Sequence, residues 1–150
     1  MSNTATVAGG QSLTITRRVR ATPEEVFDAW LDADGMRTWM VGSTLGQARA
    51  TIDARVGGKF RLEMFKPDNT GFDHTGEYLT IDRPRKLAFT WFSLGTKHQR
   101  TVVTIELEPV GDGETKLTLT HQGLPSVEDA VEHEQGWGIV LGKLAEALSS

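Results

Sequence analysis

The sequence predicts an α+β fold in which a curved, seven-stranded antiparallel sheet wraps a long C-terminal helix, and three stretches carry that prediction. From Ala48 to His121 apolar and polar residues alternate with period two, the mark of strands with one buried face. From Ser126 to Ser150 the spacing lengthens to three and four, as on one face of a single helix. Between the first strand and the rest, Thr22-Pro23-Glu24-Glu25 forms a capping box with proline at the first helical position.

In chain order, residues 1–11 are small and polar and read as a flexible N-terminus, with one domain over residues 12–150. Leu13, Ile15, Arg17 and Val19 alternate with polar residues as a first strand. After the capping box, Val26, Phe27, Trp30 and Leu31 share a face, so a short helix should run to about Asp32. Asp34-Gly35 breaks it, and Met36 to Met40 form another helical turn carrying Trp39. Strands follow at about 48–54, 58–65, 74–82, 86–93, 100–109 and 114–121. Val56-Gly57-Gly58 and Gly111-Asp112-Gly113 suit tight hairpins, Pro67-Asp68-Asn69 a looser turn, and Arg83-Pro84 a stop.

Alternation also assigns faces. Phe60, Leu62 and Met64 should point the same way as Leu87, Phe89 and Trp91, as Val103, Ile105 and Leu107, and as Leu117, Leu119 and His121. That dry side is wider than a short helix can cover, so the terminal helix must lie across it. Ser126 is its expected N-cap, with Glu128 and Asp129 in the first turn near the positive end of the dipole. Its apolar stripe reads as Ala130, Val131, Glu134, Trp137, Val140, Leu141, Leu144 and Leu148. Gly136, Gly138 and Gly142 interrupt it, each costing roughly 1 kcal/mol against alanine. Compensation is expected from close approach to another backbone or from open volume beside Trp137.

Composition narrows the function classes. At 150 residues, 38% hydrophobic and 24% charged, the chain is an ordinary globular domain. A formal charge of -4 with scattered basic residues disfavours nucleic acid as a partner. Zero cysteines exclude disulfides, thiolate metal sites and a cysteine nucleophile. No segment approaches a membrane span, and the N-terminus lacks a signal-peptide pattern, so a cytoplasmic location is expected.

The order strand, two short helices, six strands, long helix resembles the helix-grip fold of the START-like (SRPBCC, birch-pollen-allergen-like) superfamily. Within it, specific pieces are similar to homologues of the activator of the heat-shock-protein-90 ATPase. They are Ala21 to Trp30, Asp53-Ala54-Arg55-Val56-Gly57-Gly58-Lys59-Phe60-Arg61, Gly76-Glu77-Tyr78, Arg83 to Trp91, Leu117 to Gly123, and His133-Glu134-Gln135-Gly136-Trp137 leading to Leu141 and Leu144. The resemblance implies a cavity between sheet and helix that takes apolar small molecules, and it offers a chaperone ATPase as a second kind of partner.

Individual motifs add little chemistry. Gly136-Trp137-Gly138 with Gly142 imitates a dinucleotide fingerprint without the preceding parallel strand. Gly57-Gly58-Lys59 lacks the rest of a P-loop, and Gly42-Ser43 does not complete a nucleophile elbow. His74, His98, His121 and His133 show no metal-ligand spacing, so neither metal nor cofactor is expected. His133 lies one turn before Trp137 and reads either as a histidine bonded at a cavity edge or as a ligand contact. His74 and Tyr78 share a strand face and read either as core or as the polar fixtures of a greasy site.

The candidate ligand-binding residues are therefore Trp39, Met40, Phe60, Met64, His74, Tyr78, Phe89, Trp91, His133, Trp137 and Leu141. The leading expectation is a binding protein for an apolar or aromatic small molecule. The alternatives are a co-chaperone-like interaction module and a cavity enzyme of hydrolase, cyclase or lyase type. For the enzyme, His74, His133 and Glu134 are the candidate acids and bases, with no dyad evident.

Overall fold

The computed structural model describes residues 10–40, 47–66, 68 and 71–149. The elements run β1 Gln11–Val19, α1 Pro23–Ala29, α2 Met36–Trp39, β2 Gln47–Ile52, β3 Lys59–Phe65, β4 Gly71–Asp82 and β5 Lys86–Ser93. A 3₁₀ turn at Leu94–Thr96, β6 Thr101–Pro109, β7 Thr115–Leu124 and α3 Val127–Ser149 complete them. The flexible start expected for residues 1–11 falls mostly outside the described residues, as do Gly42-Ser43 and Pro67 and Asn69 of the looser turn.

α1 begins as its capping box requires. Thr22 Oγ1 accepts the Glu25 N–H at 3.2 Å and Glu25 Oε1 accepts the Thr22 N–H at 2.9 Å. The helix ends at Ala29, short of the expected Asp32, because Leu31 and Asp32 donate to carbonyls only three residues back and tighten the last turn. Val26, Phe27 and Trp30 are buried. α2 is one turn starting at Gly35 with no side-chain cap, and it buries Met36 and Trp39.

The strands form one antiparallel sheet in the order β1-β7-β6-β5-β4-β3-β2. Five of its six pairings join consecutive strands; the sixth brings β1 beside β7, setting Leu13 opposite His121 and Ile15 opposite Leu119. Inner-face side chains are buried as alternation predicts, from Leu62 through Phe89 and Val103 to Leu119. Two glycines are set by geometry. Gly57 takes a positive φ of 84° in the β2–β3 connection. At Gly76 a Cβ would lie 2.0 Å from the Thr90 carbonyl oxygen and 2.4 Å from the Phe60 ring, so the missing side chain is what lets Phe60 fold inward.

α3 lies across the dry face, its start fixed by the Asp129 N–H donating to Ser126 Oγ at 3.1 Å. It buries Asp129, Trp137, Val140, Leu141 and Leu144. Two residues assigned to its stripe are not there: Val131 is 49% exposed and Glu134 is exposed. At about 100° per residue, Val131 sits a third of a turn away from Trp137, and Glu134 lies on the outer edge of the stripe. The glycine expectation also changes. A Cβ at Gly136, Gly138 or Gly142 meets no atom within 4 Å, so these residues permit no close backbone approach, and Gly138 faces solvent.

Candidate functional site

The alternation that buries one sheet face collects the large aromatic residues into one cluster. Trp30, on the turn after α1, packs edge-on to Trp39 at 5.0 Å between centroids and lies 6.2 Å from Trp137 of α3. Trp91 of β5 lies 5.0 Å from Trp137 and 4.9 Å from the His74 ring. Phe60 meets Phe89 edge-on at 5.4 Å and Tyr78 at 5.5 Å. All four tryptophans are therefore in one connected set.

Among the described residues, a cavity of about 20 Å³ opens at the α2 end of this cluster. Five expected site residues line it: Met40, Phe60, Tyr78, Phe89 and Trp91, joined by Trp30, Met36 and Leu62, which the sequence reading did not assign to the site. Trp39, Met64, His74, His133, Trp137 and Leu141 do not line it. No α3 residue lines this cavity; Trp30, Trp91 and His121 pack around Trp137 instead. Its volume suits about one water molecule, well short of the several hundred Å³ of a typical ligand site.

Polar atoms in this interior fall into two groups. In the first, Trp30 Nε1, Trp91 Nε1, His74 Nδ1 and Ser93 Oγ are buried without a hydrogen-bond partner in the protein. Leaving such a group unpaired costs roughly 1–3 kcal/mol, so four together on neighbouring side chains mark an interior that is not satisfied by its own residues. Burial pulls the His74 imidazole down to about 4, with nearby backbone carbonyls only partly offsetting it. Burial also raises the Tyr78 hydroxyl, which stays a protonated donor.

The second group is fully satisfied, and its proton positions follow from counting. Thr101 Oγ1 donates its only proton to the Trp91 carbonyl, so toward His121 Nε2, 2.8 Å away, it must accept. Trp137 Nε1–H donates to His121 Nδ1 at 3.1 Å. His121 is accordingly neutral with its proton on Nε2, and both nitrogens are committed. Burial, aided by neighbouring His133, holds it well below its ordinary value. His133 lies edge-on to His121 at 5.0 Å and is tied to its own helix, Nδ1 being 2.8 Å from the Asp129 carbonyl. Below it, Asp129 accepts from Lys97 Nζ and Ser126 Oγ, and the Lys97 bond is the main reason its carboxyl titrates low.

Sequence reasoning missed Thr101, Ser93 and Asp129. It placed His121 inward without a role, although a histidine at the end of an apolar alternation was a usable signal. The trio named for acid–base chemistry is not assembled: His74 and His133 face the aromatic cluster, while Glu134 is exposed. No group of three or more potential metal ligands exists among the described residues. No helix of these residues is long and apolar enough to cross a membrane.

Comparison with known proteins fits this architecture. The family described as "Activator of Hsp90 ATPase homolog 1-like protein" matches residues 20–149. An HSP90 activator from Plasmodium falciparum is 27% identical, with 93% of this chain and 97% of that one covered at a TM-score of 0.74. The AHSA1 protein from Silicibacter pomeroyi is 25% identical, covering 93% of this chain and 98% of that one at 0.77. A protein from Arthrobacter aurescens, 22% identical with coverage of 96% and 92%, shares the fold at 0.80. Comparison with curated proteins finds no match.

Proposed function

Because the chain belongs to the family of activator of Hsp90 ATPase homolog 1-like proteins, within the START-like superfamily, we propose that it uses the interior of this fold to bind an apolar small molecule. The observation that carries the reading is the set of unpartnered polar atoms on Trp30, Trp91, His74 and Ser93, gathered in an otherwise aromatic interior next to a small cavity. Each unpaired buried group costs roughly 1–3 kcal/mol, which a guest that supplied partners would recover. The cavity must widen to admit a guest. α2 is the element to yield, since it is a single turn without a side-chain cap, and Met36 and Met40 flank the cavity with flexible side chains.

A titration with the neutral fluorophore N-phenyl-1-naphthylamine tests this. Saturable, one-to-one enhancement with energy transfer from the tryptophan cluster is expected. A flat response at protein concentrations up to about 100 times an ordinary micromolar Kd removes the reading.

A second reading is favoured by the Plasmodium falciparum relative: an interaction module that changes a chaperone's ATPase rate. Leu94, Val127 and Val131 are apolar and exposed, and they offer contact surface. The chain added to an Hsp90-class ATPase should then alter turnover, and an unchanged rate counts against it.

A further inference from the structure

The outer face of the sheet carries an aromatic ring where alternation calls for a polar residue. Leu87, Phe89 and Trp91 of β5 are buried on the inner face, so Phe92 falls on the wet one, where it is 38% exposed. Cross-strand register sets Thr51, Arg61, Thr75 and Phe92 in one row over β2 to β5. Arg100, one residue before β6, continues that row, because Thr101 pairs with Trp91. Around the row lies an open depression of about 690 Å³, within the size range of small-molecule sites and separate in position from the interior cavity. Thr51, Thr75 and Thr90 are short, so the Phe92 ring lies open between longer neighbours.

The ring is also braced. Lys97 and His98 both adopt left-handed backbone, with φ of 53° and 56°, a conformation that is costly for residues carrying a Cβ. The turn they make sets the His98 imidazole 5.4 Å from the Phe92 ring.

Charge completes the site. Lys59, Arg61 and Arg100 line the depression against one carboxylate, Glu77, in a chain whose formal charge is -4. Arg61 is held by Asp73 at 2.9 Å and Glu63 at 3.5 Å, and Glu77 stands opposite Lys59 in the register of β3 and β4. Arg100 remains near Phe92 with no ion pair among the described residues. A free guanidinium beside an open ring suits a flat aromatic oxyanion, whose ring stacks on Phe92 while its oxygens accept the forked N–H donors of Arg100. An ammonium would meet Lys59 and Arg100, and an aliphatic acid would forgo the ring.

We propose that this outer face binds a small aromatic carboxylate, with Phe92 as the stacking platform and Arg100 as the counter-charge. The site does not depend on the interior.

The test uses the full chain labelled with ¹⁵N and three probes: 2-naphthoate, the neutral 2-naphthamide and cyclohexanecarboxylate. The Arg100 Nε–H signal, assigned with Arg100→Gln, reports the outer face, and the four tryptophan indole N–H signals report the interior. 2-Naphthoate is expected to bind with a Kd below about 1 mM and at least about ten-fold tighter than either comparator. It should shift the Arg100 signal and leave the indole signals in place. Arg100→Gln should bring 2-naphthoate close to the affinity of 2-naphthamide, and Phe92→Ser should weaken it at least about five-fold. Equal binding of 2-naphthoate and either comparator overturns the proposal, as do moved indole signals with an unmoved Arg100 signal. Unchanged affinity in either variant, or no saturable shift up to about 10 mM probe, overturns it as well. The wild-type spectra decide the matter even where a variant folds poorly.

Discussion

The Trp137 indole donates to His121 Nδ1 at 3.1 Å, and through His121 and Thr101 the middle of α3 is tied to the β5 backbone at Trp91. One buried imidazole thus joins the long helix to three adjacent strands. Replacing Trp137 by phenylalanine removes the donor, leaves Nδ1 unpaired and opens volume in the core. A loss of about 2–4 kcal/mol is expected in urea denaturation. A loss below about 1 kcal/mol would mean the bond contributes nothing to docking the helix.

Acid should weaken the fold through its buried histidines. The folded pKa of His74 is pulled from 6.5 to about 4, and His121 is lowered in the same direction, so the unfolded chain takes up these protons first as pH falls. Stability should be full above about pH 6.5 and decline toward pH 4, by on the order of 3 kcal/mol for His74 alone. The groups facing these rings are Trp91, Trp137, Thr101 and His133, with the Asp73 carboxylate acting on His74. Denaturation midpoints at pH 7.5 and 4.5 measure the effect; equal midpoints would show that neither histidine is held neutral by burial. Asp28 and Asp129, whose carboxyls are lowered mainly by hydrogen bonds from Arg83 and Lys97, add to the loss only at still lower pH.

The helix glycines should be improvable. Nothing lies within 4 Å of a Cβ at Gly136, Gly138 or Gly142, so alanine at each recovers helix propensity without a clash. Each substitution should stabilise by about 1 kcal/mol, raising the thermal midpoint by several degrees. A destabilised Gly138→Ala variant would show that the backbone there needs glycine for a reason other than space.

Gly76 should behave in the opposite way. A Cβ there collides with the Thr90 carbonyl and the Phe60 ring, and the carbonyl is backbone that cannot step aside. Gly76→Ala should destabilise by about 2 kcal/mol or more and disturb the Phe60 wall of the cavity, with a changed near-ultraviolet dichroism of the aromatic cluster.

Much of the fold was legible because its rules are local. All seven strands and α3 lie where period two and period three-to-four placed them, within about three residues, since pleat and helix pitch act on neighbouring residues alone. The Thr22 capping box and the Ser126 cap were readable for the same reason. The site was legible only in part. The sequence picked out Phe60, Tyr78, Phe89 and Trp91 as inward aromatics, but could not give the distances that gather them with Trp30 around a cavity near α2 and set Trp137 against Trp30, Trp91 and His121.

By itself, then, the sequence determined the α+β layout, the dry face of the sheet and the identity of the helix that covers it. Only the tertiary structure decided that β1 closes on β7, that His121 serves Trp137 and Thr101, that the α3 glycines face open space, and that the Trp30 and Trp91 indoles are left without acceptors. The reason is physical: alternation tells which way a side chain points. A hydrogen-bond partner or a void, by contrast, depends on the registers of strands far apart in sequence, and those are fixed when the whole core packs.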